Sequence, residues 1–82
     1  MNTIQEIKAE LISNCKGRND TMQRYAITYK GYRIEKVERI DTSVWYISTY
    51  YMREKQEVMY TKKYEREEAF EKALKRIIKK EV

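Results

Sequence analysis

Apolar side chains at the start of the chain recur with the period of one helical face. These positions are Ile4, Ile7, Leu11, Ile12 and Cys15. Side chains three and four residues apart lie on the same side of an α-helix, and Thr3 with Glu6 matches the capping box that begins one. Gly17 is the residue type that most often ends a helix in a left-handed conformation. The pattern predicts a helix over roughly 3–16, followed by a polar connecting loop over 17–23.

Between residues 24 and 64 the chain is rich in Tyr, Ile, Val and Thr, which fit a pleated surface. Turn-forming residues divide this segment at Lys30-Gly31, at 41–43 and at 53–56. Because Lys-Gly is a less specific hairpin signal than Asn-Gly, the first two pieces are either two strands or one long bent strand. Short links between the pieces imply antiparallel pairing. The predicted strands are 24–30, 32–40, 44–52 and 57–63.

A second apolar stripe predicts another helix after the strands. It consists of Ala69, Phe70, Ala73, Leu74, Ile77 and Ile78. Glutamates crowd the first turns of this segment and basic residues its last turns, which complements the helix dipole. The predicted fold class is α+β in a single domain spanning 1–82. We expect a helix, a three- or four-stranded antiparallel sheet and a helix, with both helices on one face of the sheet.

Alternation along the third predicted strand distinguishes the two faces of the sheet. Trp45 and Ile47 are more apolar than Tyr46 and Tyr50, which point to the opposite side. The Trp45 face is therefore predicted to form the core under the helices. Tyr46 and Tyr50 are predicted to face solvent, where tyrosines can stack nucleic-acid bases or anchor a protein partner. Cross-strand tyrosine pairs that only stabilise the sheet are the alternative interpretation.

The composition is that of a small globular domain. The 82 residues leave room for one modest core, and 41% are hydrophobic and 38% charged. The single cysteine cannot form an intrachain disulfide, which favours a reducing compartment. No apolar run is long enough to cross a bilayer, and the start of the sequence lacks the regions of a signal peptide. We expect a cytoplasmic protein, and the many residues with AT-rich codons suggest a low-GC bacterium or its phage.

The sequence lacks several side-chain combinations on which enzyme chemistry often depends. It contains no His, so no imidazole base or ligand is present. One Cys cannot hold zinc or an iron–sulfur cluster. Two isolated glycines cannot form a phosphate-binding glycine loop. We expect a protein that is not an enzyme and that carries no metal or cofactor.

A formal net charge of +5 is compatible with a nucleic-acid partner. Two adjacent lysines are predicted to lie where the last strand meets the second helix, and there ammonium groups and helix amides would act together on a phosphate. Basic side chains that only keep the protein soluble and protect sheet edges are the alternative interpretation. The candidate nucleic-acid-binding residues are Lys62, Lys63, Arg66, Arg53, Lys55 and Arg33.

Two partial family resemblances concern the last strand and helix. The run Lys62–Leu74, KKYEREEAFEKAL, resembles the K-K-x-A-K-x-x-A-A-x-x-A-L signature of double-stranded-RNA-binding domains. That family has a helix, three strands and a helix, and the resemblance implies phosphate contacts for Lys62, Lys63 and Arg66. The region Trp45–Phe70 is also similar to the arm-binding domains of phage-type integrases, which place a three-stranded sheet in a DNA groove.

Two functions remain open from the sequence. The leading hypothesis is a small nucleic-acid-binding accessory protein, encoded by a phage or mobile element, that contacts phosphates of DNA or RNA through basic residues of the sheet and of the strand–helix junction. The alternative is an inhibitor or regulator of a host protein or nucleoprotein, for example an anti-CRISPR protein, acting through an exposed tyrosine-rich sheet face. A homodimer formed through the sheet is compatible with both. Neither hypothesis involves a membrane.

Overall fold

The computed structural model describes residues 3–80, in which one helix precedes and one helix follows an antiparallel sheet along the chain. Its elements are α1 (Ile4–Ser13), β1 (Cys15–Arg18), β2 (Met22–Tyr29), β3 (Tyr32–Arg39), β4 (Ser43–Arg53), β5 (Gln56–Tyr64) and α2 (Glu67–Lys79). The strands lie in the order β1-β2-β3-β4-β5, so each pairs with its neighbours in the chain. The predicted α+β class is confirmed, with five strands instead of three or four.

Both helices cover the same face of the sheet and share one core with it. The buried side chains of this core are Ile7, Leu11, Ile27, Tyr29, Ile34, Trp45, Ile47, Phe70, Leu74 and Ile77. Phe70 of α2 is completely buried, and its ring centroid lies 5.7 Å from that of Trp45. Ile34 pairs directly with Ile27 on one side and Ile47 on the other, which forms a continuous apolar row beneath the helices. The prediction that the Trp45 face is the core is confirmed.

The start of α1 follows the predicted capping pattern. The backbone amide of Glu6 donates to the Thr3 hydroxyl at 3.2 Å, and that hydroxyl donates to the Glu6 carboxylate at 3.0 Å. This arrangement satisfies one of the amides that a helix start leaves without an intrahelical partner. The helix ends at Ser13, three residues before its predicted end.

The segment after α1 forms an edge strand, which the sequence did not predict. In β1, Gly17 lies opposite Arg24 of β2, and among residues 3–80 the only glycine with a positive φ is Gly31. The predictions that Gly17 ends a helix in a left-handed conformation and that 17–23 is entirely loop are therefore wrong. Hydrogen bonding to β2 supplies the stability of this strand, and local residue preferences do not predict such pairing.

A two-residue turn separates β2 from β3. Lys30 and Gly31 have φ values of 50° and 82°, as a type I′ turn requires. Tyr29 and Tyr32 pair directly across it. The question left open by the sequence is answered, because this region forms two strands in a tight hairpin.

The hairpin of β4 and β5 extends further than its neighbour β3. Pairing between β3 and β4 ends at Arg33 and Ser48, whereas pairing between β4 and β5 continues to Arg53 and Gln56. Residues 49–60 therefore continue as a two-stranded ribbon, which we call the hairpin arm. It carries five large apolar side chains that are 45–67% exposed, namely Tyr50, Tyr51, Met52, Met59 and Tyr60.

The turn of the hairpin arm holds two non-glycine residues in left-handed conformations. Glu54 has φ 51° and Lys55 has φ 66°, and each left-handed residue with a Cβ costs about 1 kcal/mol or more. Replacing Lys55 by Gly is expected to stabilise the fold by roughly 0.5 kcal/mol, because the relief of strain exceeds the added entropy of the unfolded chain. Urea unfolding of the variant measures this gain.

A matched control for this turn lies two residues further on. Glu57 is in the extended part of β5, where glycine only adds flexibility, so Glu57→Gly is expected to lower the unfolding free energy by roughly 0.5–1 kcal/mol. Equal destabilisation by both glycine substitutions would contradict the strained turn.

An ion-pair cluster joins the two helices. The Lys8 ammonium donates to the Glu67 carboxylate and, at 2.8 Å, to that of Glu71. Hydrogen bonding to Glu67 and then to Glu71 raises the pKa of Lys8, and the bond from Lys8 lowers the pKa of Glu67 below its ordinary value of 4.5. The first turn of α2 is thereby held against α1.

Candidate functional site

The face of the sheet opposite the helices is covered by no other element of residues 3–80, and we call it the outer face. Strand alternation and register place these side chains on it: Met22, Arg24, Ala26, Thr28, Arg33, Glu35, Val37, Arg39, Val44, Tyr46, Ser48, Thr61 and Lys63. Most are polar or charged, in contrast to the apolar row under the helices. This face therefore determines what the sheet presents to solvent.

Basic side chains from four strands meet on the outer face. Lys16 of β1 joins them, because it lines a cleft together with Thr28 and Arg33. The set comprises Lys16, Arg24, Arg33, Arg39 and Lys63. In the interior of this face the only carboxylate is that of Glu35, with Glu57 and Glu65 at its margins. The outer face thus carries a clear excess of positive charge.

Glu35 organises two of these cations. Its carboxylate accepts from the Arg33 Nε at 2.9 Å and lies 3.4 Å from an amino nitrogen of Arg24. The Glu35 side chain is only 17% exposed, whereas those of Arg33 and Arg24 are 47% and 53% exposed. One negative charge shared by two arginines leaves net positive charge, and each half-exposed guanidinium keeps donors that Glu35 does not occupy.

The remaining cations are less constrained. Within residues 3–80, Lys16 and Arg39 form no ion pair, and both are exposed. Lys63 lies 3.5 Å from the exposed Glu65 carboxylate, and such a solvated pair contributes little and exchanges readily. These three side chains are free to contact an anion.

Tyr46 lies at the centre of the outer face. It lines one shallow cleft with Arg39 and Lys63 and a second with Arg24 and Arg39. Cross-strand neighbours on either side are Glu35 and Lys63. The half-buried ring thus lies between a carboxylate and an ammonium group, with Arg24 and Arg39 lining the adjacent clefts.

The structure separates the two lysines that were expected to act together. Lys62 and Lys63 are adjacent in β5, so they point to opposite faces. Lys63 belongs to the outer face, where Arg33 also lies. Lys62 lies on the helix side, with its ammonium 5.5 Å from the centroid of the Tyr64 ring.

The other predicted nucleic-acid-binding residues lie at separate places. Arg66 is the N-cap residue of α2 and its side chain makes no capping hydrogen bond. Glu67 and Glu68 occupy the first turn of that helix, so the helix start presents carboxylates where a phosphate would have to approach. Arg53 and Lys55 lie at the end of the hairpin arm. Of the predicted set, the fold brings only Arg33 and Lys63 onto one surface.

Three basic residues of the outer face were not among the predicted site residues. For Arg24 and Arg39 a signal existed, because both alternate with the buried positions of their strands. For Lys16 none existed, since β1 itself was not predicted.

Tyr64 marks the boundary between α2 and the free edge of the sheet. Burial raises the pKa of the Tyr64 hydroxyl, the positive charge of Arg76 lowers it and Tyr60 raises it further. Its ring is tilted against Phe70, at a centroid distance of 6.3 Å. The helix side of β5 is therefore partly packed against the core, unlike the outer face.

Residues 3–80 contain neither a metal site nor a membrane-spanning helix. Among residues 3–80 no three His, Cys, Asp or Glu side chains are grouped so that they could hold a metal ion. None of the helices in the same residues has the length and apolar character needed to cross a membrane. No protein-family model, curated protein or solved structure matches the chain.

Proposed function

We propose that this chain is a small nucleic-acid-binding protein that contacts the phosphate backbone with its outer face. The observation that carries the proposal is the collection of five basic side chains from four strands on the one sheet face that the helices leave open. The helix layer, in contrast, mixes acidic and basic side chains and ties part of them in the Lys8 cluster. The outer face therefore offers a polyanion a set of cations that the helices leave uncovered.

Two features of the face suit the phosphate backbone of a nucleic acid better than a single small anion. Its cations are distributed over β1 to β5, a width of about 19 Å at the usual strand spacing, which matches a repeating backbone and not a single ligand. Tyr46 adds an aromatic ring among them, and a base that leaves its stack can pack on such a ring. Side-chain contacts to phosphate carry no sequence information, so we expect binding with little sequence preference.

The salt dependence of affinity tests this proposal. If all five cations contact phosphates, a plot of log affinity for duplex DNA against log salt concentration has a slope of about −4.5. If Glu35 keeps part of its pairing with Arg24 and Arg33, the slope is only about −3. Fluorescence anisotropy with labelled generic duplex DNA and duplex RNA over a salt series measures both slopes. Absence of binding to either duplex at low salt would end the proposal.

A second candidate function is favoured by the hairpin arm. Its exposed Tyr50, Tyr51 and Met52 are residue types enriched at protein interfaces. Binding of a host protein or nucleoprotein through the arm would follow the inhibitor hypothesis. A pull-down in which the partner survives nuclease treatment, and is lost in Tyr50→Ala but retained when outer-face cations are replaced, separates this function from nucleic-acid binding.

A further inference from the structure

The two edges of the sheet differ in a way that bears on association. β5 lies at one end of the strand order, is nine residues long and pairs with β4 without a register shift. β1, at the other end, has only four residues and an irregular register between Cys15 and Gly17. Short and irregular edges resist the addition of another strand, whereas a long regular edge accepts one. Among the described residues, β5 is thus the edge at which the sheet can grow.

The hairpin turn determines which backbone groups of β5 are available. Residues that flank a two-residue turn exchange hydrogen bonds, and every second pair along an antiparallel ladder does the same. Arg53 and Gln56 flank the Glu54-Lys55 turn. The outward-pointing amides and carbonyls therefore belong to the alternate residues Glu57, Met59, Thr61 and Lys63.

The sequence of β5 is complementary to itself about its middle residue, Tyr60. When two copies of the strand lie antiparallel with Tyr60 opposite Tyr60, Glu57 of each copy lies opposite Lys63 of the other. Met59 then lies opposite Thr61. Both of these pairs join outward-pointing backbone groups, so that hydrogen bonding and charge pairing favour the same register.

Neighbouring registers lack this complementarity. A shift by two residues in one direction places Lys63 opposite Met59, and a shift in the other places it opposite Lys55 of the turn. Shifts by one residue would put inward-pointing backbone groups opposite outward-pointing ones. Only the register centred on Tyr60 pairs Glu57 of each copy with Lys63 of the other.

Exposed apolar surface supplies a further reason for pairing. Met59 is 54% exposed and Tyr60 is 58% exposed although they lie in the middle of a regular strand. We propose that two copies of this chain pair antiparallel through β5, about a two-fold axis at Tyr60, to form a ten-stranded sheet. The outer faces then lie side by side and present one surface with the cations of both copies, in which each Lys63 is paired with Glu57 of the other copy. The pairing rests on β5 alone and does not depend on the proposed function.

Cysteine crosslinking tests the axis directly. Tyr60→Cys and Val58→Cys are each made with Cys15→Ser, because Cys15 is an exposed free thiol. The two Cα atoms at position 60 lie about 4.5 Å apart in a non-hydrogen-bonded pair, within the range of a disulfide, whereas those at position 58 are about 14 Å apart. Mild oxidation is expected to convert Tyr60→Cys, but not Val58→Cys, to a covalent dimer.

Charge reversal tests the register in the protein without cysteine substitutions. Glu57→Lys alone and Lys63→Glu alone are expected to weaken the dimer, since each places like charges opposite one another, and the double substitution is expected to restore it. Sedimentation equilibrium over a concentration series, without nucleic acid, measures all four proteins. A wild-type chain that stays monomeric, equal crosslinking at positions 58 and 60, or failure of the double substitution to restore the dimer would overturn the proposal.

These outcomes are independent of nucleic-acid binding. Replacement of Lys16 and Arg39 by Glu, which leaves β5 unchanged, is expected to lower the affinity for duplex DNA roughly 60-fold or more at about 0.1 M salt, while Tyr60→Cys in the same chain still crosslinks. Loss of crosslinking in that background would show that the pairing depends on the outer face and would contradict association through β5.

Discussion

Replacing both Lys16 and Arg39 by glutamate is expected to lower the affinity for duplex DNA roughly 60-fold or more at about 0.1 M salt. Each lost phosphate contact removes about a factor of eight there, because fewer condensed counterions are released on binding. The slope of log affinity against log salt should fall in magnitude by about 1.8. Both side chains are exposed and form no ion pair within residues 3–80, so the fold is expected to tolerate the change.

A matched control separates local charge from total charge. Lys72→Glu with Lys75→Glu produces the same change in net charge on the exposed side of α2, away from the outer face. This variant is expected to keep the wild-type salt slope, with a small uniform loss of affinity through long-range repulsion. Equal effects of the two double substitutions, measured by anisotropy in parallel, would refute a binding site on the outer face.

Replacing Phe70 by alanine is expected to unfold most of the protein. The ring is completely buried, lies against Trp45 and contacts Tyr64. Removal of a buried Phe costs about 3–5 kcal/mol, from lost transfer free energy and the cavity left behind. A domain of this size has an unfolding free energy of about 3–5 kcal/mol, so the expected loss is as large as the total stability. Circular dichroism and urea titration measure it.

Two further substitutions make the Phe70 result specific. Phe70→Leu keeps most of the volume and is expected to cost about 1–1.5 kcal/mol. Tyr50→Ala removes an exposed ring of similar size, 46% of which faces solvent, and is expected to change stability by less than about 1 kcal/mol. A cooperative transition in Phe70→Ala at the wild-type midpoint would contradict the packing of α2 on the sheet.

The periodic spacing of apolar residues predicted those helices and strands that bury one of their faces. The contrast between Trp45 and Tyr46 identified the core side of the sheet because adjacent strand residues point in opposite directions. The same reasoning failed for β1, where Cys15–Arg18 contains no residue with a strong strand preference. Its structure is imposed by pairing with β2, a contact between segments that a local pattern does not contain.

The binding surface was less predictable than the fold because it depends on register. Lys62 and Lys63 are neighbours in sequence and were treated as one site, although alternation along β5 places them on different faces. Lys16 and Lys63 are far apart in sequence, yet they share the outer face. Which cations meet follows from turn lengths and hairpin register across five strands, and the sequence specifies these only through the completed sheet.

The arrangement in which each strand pairs only with its neighbours along the chain also affects how the protein folds. Links of two or three residues join consecutive strands, so closing each hairpin costs little loop entropy. The contacts between Lys8 and the start of α2, in contrast, join distant parts of the chain. Chains dominated by local contacts fold fast, and here the sheet can form one hairpin at a time. Docking of the two helices onto it is therefore the step that we expect to limit the folding rate.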